Sequence, residues 1–249
     1  MNERMPTEYV AMLAEHEKWV VSKHEEGKPA NFRNADLLFV NLSGVNLSWV
    51  DFSSANLVSA NLIGANLSRT RLVNVNLVRT QLVKADFSDA DLSEANLSWA
   101  NAACADFSRA NAAWVNLSEA NVSKAIFFRT NLSWAKLVRT DFSGANLSGT
   151  NFSNADLSQA NFSDVDLSQA NLSNVILLDT VGNGREIKSI KLGRWTAVWT
   201  RDALQIGCQR HPIAKWWRFT PGEIAAMDPE AMDWWIKYNA SLRDMIKAG

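Results

Sequence analysis

The residues able to do chemistry are few and scattered. Three histidines, His16, His24 and His211, and two cysteines, Cys104 and Cys208, are the only residues of those two types in 249 residues. Cys208 and His211 form the one pair whose spacing suits a nucleophile and its base. Three residues apart at a predicted strand end, they read better as a thiol and a turn histidine. No quartet of clustered Cys and His suits zinc, and there is no glycine-rich phosphate loop. Aspartates recur in series, as at Asp86, Asp91 and Asp106, yet equivalent positions elsewhere hold asparagine. A role that asparagine fills equally well needs no ionised carboxylate, which argues against acid–base work. The chain is therefore expected not to be an enzyme and to need neither cofactor nor metal.

Those aspartates belong to a five-residue beat running from Ala30 to Leu178: a small residue, Asn or Asp, Leu or Phe, usually Ser, then any residue. Ala55-Asn56-Leu57-Val58-Ser59 and Ala145-Asn146-Leu147-Ser148-Gly149 are typical units. The Leu/Phe slot falls at every fifth position from Phe32 to Leu177, and its weakest occupants are Ala102, Ala112 and Val122. On a strand, residues two apart share a face, so the small residue and the Leu/Phe both point inward. Because the period is odd, a straight strand would turn alternate units inside out. The chain must bend once per unit, and the Ser, Asn and Gly between units suit such corners. A helix is excluded, since this period would smear the apolar residues over its whole surface.

Large apolar residues in the slot after Leu/Phe fix the coil length. Leu38, Val58, Val78, Val138 and Leu178 differ by multiples of twenty, and Ile63 and Val83 make a second such pair. Four units per coil follow, giving a square-section solenoid whose coils cover one another. At a strand spacing of about 4.8 Å, thirty units from residue 30 to 179 would build a rod of roughly 36 Å. These units resemble the pentapeptide-repeat proteins, whose A-[N/D]-L-x-x repeats wind into a right-handed four-sided β-helix. The resemblance covers Ala30 to about Asp179 and implies the handedness, which spacing does not give.

Three regions are expected: a capping helix within residues 1–29, the β-helix over 30–179, and a strand-and-helix module over 180–249. Met12, Leu13, His16, Trp19 and Val20 show helical spacing, with Thr7 as N-cap and Gly27 as stop. Such a helix would cover the open edge of the first coil, with His16 packed inside it. After Asp179, Trp195–Thr200 and Ala203–Cys208 read as two strands, with a third from Ile187 to Leu192. Thr220-Pro221-Gly222-Glu223 is a capping box, and Asp228-Pro229 opens a longer helix carrying Trp234, Trp235, Tyr238, Leu242, Met245 and Ile246 on one face. No run of eighteen apolar residues and no secretion signal is present, so a cytoplasmic chain without a membrane span is expected. Cys104 occupies an outward slot far from Cys208, and both are expected as thiols.

The surface pattern points to binding. An apolar side bearing Leu38, Val58, Val78, Trp99 and Val138, the neighbours Trp114 and Trp134, and the tail residues Trp216, Trp217, Trp234 and Trp235 form the expected interaction surface. The partner expected is protein, above all a second copy of this chain in a homodimer. Ladder contacts are expected too: Arg69 over Trp49 and Arg79 beside Trp99 as cation–π pairs, and Glu119 with Arg139 as an ion pair.

The family resemblance implies an alternative, modulation of DNA gyrase and other type II topoisomerases by a rod that imitates duplex DNA. Mimicry needs dense negative charge, whereas residues 30–179 carry thirteen acidic and ten basic residues, a net of −3. Nucleic-acid binding by the tail is a third reading, since eight basic residues between Arg185 and Arg218 are interleaved with Trp195, Trp199, Trp216 and Trp217. A small aromatic core with solvated charges is the better account of that segment.

Overall fold

The fold is taken from a computed structural model that describes residues 6–248. Parallel bridges join second-slot residues twenty apart, beginning with Asn31 to Asp51, Asp36 to Asn56, Asn41 to Asn61 and Asn46 to Asn66, and ending with Asn161 to Val181. One coil is thus twenty residues, as the apolar exceptions predict, with a bridge at each five-residue unit except between Asn146 and Asp166. Three backbone bonds serve each unit. Leu57 N–H donates to the Asn76 carbonyl at 2.8 Å, Ser59 N–H to Val78 at 2.9 Å, and Asn76 N–H returns to Ala55 at 2.9 Å.

Each corner is a four-residue turn closed by the small residue of the next unit, as where Ala60 N–H donates to the Leu57 carbonyl at 3.0 Å. Its third residue is left-handed. Ser59 has φ 55°, and Arg69, Trp99, Glu119 and Lys124 share the conformation, with glycine in this corner slot only at Gly44, Gly64, Gly144 and Gly149. A left-handed backbone costs a residue with a Cβ about 1–2 kcal/mol. The ladder bond of the corner N–H to the following coil holds it there.

The second slot explains itself in the same geometry. Its side-chain oxygen accepts the N–H two residues on, whether from Asn96 to Ser98 at 3.1 Å or from Asp86 to Ser88 at 2.8 Å. Asparagine adds a donor that reaches the previous coil, as in the column Asn111–Asn131–Asn151–Asn171, with steps of 3.0, 3.3 and 2.9 Å. Inside, the Leu/Phe slots pack as one apolar column, and phenylalanines stack between coils: Phe87 on Phe107 at 4.9 Å and Phe107 on Phe127 at 4.8 Å.

Helix α1 (Thr7–Val21) covers the first coil, but its ends differ from expectation. Thr7 is already helical, Pro6 occupies the cap position without a side-chain bond, and the helix stops six residues short of Gly27. Proline's fixed φ starts the helix, so Thr7 is displaced inward. Gly27 serves the return loop instead: at φ +76° a Cβ there would lie 2.2 Å from the Glu15 carbonyl oxygen.

Tyr9 meets Phe32 edge-on at 5.3 Å, and His16 Nδ1 accepts the Ala30 N–H at 3.3 Å. His16 is buried as expected, and burial lowers its pKa. Below about pH 6.5 the unfolded chain takes up a proton that the folded histidine resists, so the stability it contributes is full above that value. Stability then fades as pH falls towards the lowered folded value, by at most about 1.4 kcal/mol per pH unit. The exchange protection factors of residues 8–20, corrected for the intrinsic slowing of exchange in acid, are expected to fall between about pH 7 and pH 5, and His16→Gln is expected to flatten that dependence.

Beyond Val181 the chain builds an antiparallel sheet of four strands in sequence order: β1 (Lys188–Leu192), β2 (Trp195–Trp199), β3 (Ala203–Ile206) and β4 (Gln209–Pro212). This corrects the expected two or three strands. β4 reads Gln-Arg-His-Pro and has no apolar alternation, so only its pairing with β3 makes it a strand. Helices α2 (Ile213–Trp216), α3 (Pro221–Ala225) and α4 (Ala231–Ala248) follow, and the Thr220–Glu223 capping box is present.

Strand alternation divides the sheet between two cores. Ala197, Trp199, Leu204 and Ile206 pack with Trp216, Trp234 and Leu242 in the module, while Val198 joins the solenoid's core together with Ile187. Gln205, paired with Val198 in the sheet, accepts the Leu177 N–H at 2.8 Å and so replaces a missing coil.

Candidate interaction surface

Corner residues aim outward because the core slots take the inward positions. Residues 35–39, 55–59 and their equivalents at steps of twenty form one side of the solenoid. Leu38, Val58 and Val78 lie on consecutive coils of this side, Ser98 and Ser118 interrupt, and Val138 follows. Leu38 is exposed and the three valines are half-buried. Trp99 and Phe39 stand at the corner where the chain leaves this side. Trp114 and Trp134 stand at the corner where it enters, stacked at 5.0 Å with their planes 6° apart. These tryptophans are half exposed: Trp99 53%, Trp114 58% and Trp134 51%. One side therefore carries aliphatic residues between a margin where Phe39 and Trp99 alternate with Arg79, Glu119 and Arg139 and a margin bearing the stacked Trp114–Trp134 pair.

The tail tryptophans do not extend this surface. Trp216 and Trp234 are buried, their indole N–H groups donating to the Leu204 and Leu192 carbonyls. Trp217 and Trp235 stack at 5.4 Å, and Trp235 also lies on Trp216 at 5.7 Å. Trp216 and Trp234 therefore serve the module's own core, correcting their expected place on an interaction face, whereas Trp217 and Trp235 pack against that core and stay partly exposed. The helices fold back onto the sheet, so the apolar face of α4 is used within the chain, and Ile236 and Met245 are what it leaves exposed. Of the four rings considered for base stacking, Trp199 and Trp216 are buried, while Trp195 and Trp217 are partly exposed.

Nor does the structure join Cys208 to His211. Cys208 is exposed and lines a pocket of about 70 Å³ among Trp195, Trp216, Trp234 and Trp235. His211 lines a different groove, with its ring against Trp216 at 5.4 Å and Phe219 at 5.0 Å. Both cysteines are free and exposed. Among the described residues no group of three His, Cys, Asp or Glu could hold a metal, and no helix is long and apolar enough to cross a membrane.

Charges on the sides of the rod neutralise one another. Arg109 grips Asp89 with two bonds of 2.7 Å, and Arg69 approaches the same carboxylate at 3.9 Å. The Arg109 hydrogen bond lowers the Asp89 pKa. Arg69 also lies over Trp49 at 5.0 Å, and Glu119 meets Arg139 at 3.6 Å, both as the ladder pattern predicts. Among the described residues no cation–π contact joins Arg79 to Trp99, the one expected ladder pair that does not form.

The chain is similar to HetL, a pentapeptide repeat protein involved in heterocyst differentiation regulation from the cyanobacterium Nostoc sp. strain PCC 7120, with 31% identity over 61% of this chain and 74% of that one and a TM-score of 0.30. It is similar to full-length QnrB1, a plasmid-mediated fluoroquinolone resistance protein, at 19% identity over 59% of this chain and 87% of that one, with a TM-score of 0.44. Rfr23, a pentapeptide repeat protein from the cyanobacterium Cyanothece 51142, shares 31% identity over 39% of this chain and 63% of its own, with a TM-score of 0.25. No curated protein matches the chain. The family description "Pentapeptide repeats (8 copies)" matches residues 30–69, 70–103, 105–144 and 140–177, more than half of the sequence. The chain belongs to the pentapeptide repeat family.

Proposed function

We propose that this protein is a non-enzymatic, cytoplasmic interaction protein whose right-handed four-sided β-helix rigidly displays a binding side, and that it self-associates through that side as a homodimer. The observation that carries this reading is the side edged by Trp99 on one margin and by the stacked Trp114–Trp134 pair on the other, with Leu38, Val58, Val78 and Val138 across it. Ladder stability does not require so many outward tryptophans, and large rigid aromatics on a flat face supply contact area at low entropic cost.

Light scattering tests it. The chain is expected to run as a dimer at about 100 µM and the Trp114→Glu/Trp134→Glu double variant as a monomer of unchanged helical and strand content. A wild-type monomer at that concentration would refute the assembly. Paired charges such as Asp89 with Arg109 and Glu119 with Arg139 break up any continuous acidic face. The chain is accordingly expected to leave gyrase supercoiling unchanged with or without a quinolone. Inhibition or rescue there would favour topoisomerase modulation instead.

A further inference from the structure

The solenoid is capped on only part of its last coil. In earlier coils the Leu/Phe and corner N–H groups donate forward, as Phe152 does to the Asn171 carbonyl and Asn154 to Ser173, both at 2.9 Å. For Leu172 and Asn174 the next coil would supply residues 191 and 193, but these have departed into β1 and its turn. On the adjacent side Gln205 stands in for the missing coil by accepting from Leu177. Nothing among the described residues does so for Leu172 or Asn174. The coil also loosens just before this point: Asn146 has no bridge to Asp166, and Gln169 lacks the left-handed φ of other corners. Leu172, an inward slot, is consequently only partly buried, whereas Leu167 and Leu177 are 1% exposed.

This open edge forms one wall of a groove of about 1080 Å³, and the module forms the other. Arg185, Lys188, Arg201 and Arg210 line it against Glu186 and Asp202, and Glu186 is already held by the Asn183 amide. Asp166 lies near Arg185 outside the groove lining. Arg210 Nε is buried without a hydrogen-bond partner. We propose that this groove docks an extended acidic peptide segment of a partner protein, which pairs as an added strand along residues 167–174. Its carbonyls would accept from Leu172 and Asn174, an apolar side chain would cover Leu172, and its carboxylates would reach the arginines. A nucleic acid strand fits less well, because Trp199 is buried and His211 is engaged by Trp216 and Phe219, leaving no ring for a base.

The test pans random peptides of about eight residues against the intact chain. Enriched peptides are expected to be acidic, to bind at least about tenfold more weakly to Arg201→Glu, and to lose about tenfold more when proline replaces alternate residues. Binding is also expected to slow hydrogen exchange at Leu172 and Asn174. An unchanged melting temperature and circular dichroism will show that Arg201→Glu is folded. Enrichment of basic or neutral peptides, no enrichment at all, or binding indifferent to both Arg201→Glu and proline would overturn the proposal. Asn174 continues the column of Trp114 and Trp134, so the same peptides are also measured on the Trp114→Glu/Trp134→Glu variant: unchanged binding there separates this outcome from self-association.

Discussion

Phe107→Ala is expected to destabilise the solenoid by about 3–5 kcal/mol, lowering its melting temperature by about 6–20 °C. Phe107 is 1% exposed and sandwiched between Phe87 and Phe127 with ring centroids under 5 Å on both sides. Deleting its ring removes two stacked contacts and leaves a void in the middle coils. Neighbouring coils cannot collapse into it, because each is fixed by its own ladder bonds at every unit. A corner residue of the same coil gives the contrast: Arg109→Ala removes only an exposed ion pair, and a far smaller shift is expected. Thermal melts followed by circular dichroism compare the two directly, and similar losses would show that the apolar column is not what holds the coils.

Trp216→Ala is expected to cost about 3–5 kcal/mol in the C-terminal module while the solenoid keeps its own transition. Trp216 is 3% exposed, donates to the Leu204 carbonyl at 2.8 Å, and touches His211, Phe219 and Trp235. Truncation leaves that carbonyl without its partner and empties the centre of the module's core. Two transitions are expected in the melt of the variant, the lower one reported by tryptophan fluorescence. Loosening of β3 withdraws Gln205 from Leu177, so hydrogen exchange at residues 175–181 should quicken while residues 90–140 stay protected. Protection lost equally along the rod would mean that module and solenoid unfold as one unit.

The open flank beside Leu172 shows why part of the protein escaped sequence reasoning. Strand β4 has no apolar alternation and takes its conformation from the neighbouring Leu204 and Ile206. Gln205 looks like an ordinary polar residue between two apolar ones, and its role exists only because Leu177 lies opposite it. Trp216 and Trp234 carry the composition of a docking face, but composition does not say whether the surface that covers them belongs to the same chain. The left-handed corners at Arg69, Trp99 and Glu119 were equally hidden, since glycine is the usual marker and these residues lack its freedom. Stacked coils, not local preference, hold them.

What the sequence determined by itself is whatever repeats: the bend in every unit, the twenty-residue coil, the buried Leu/Phe column, and the alignment of Trp114 with Trp134. A period is a local instruction given thirty times, so its consequences accumulate without any knowledge of distant contacts. Tertiary structure alone decided how the rod ends: that His16 accepts from Ala30, that the module closes one flank of the last coil, and that the other flank is left facing four basic side chains. Ends have no neighbouring repeat to specify them, and the groups that satisfy their hydrogen bonds come from segments distant in sequence.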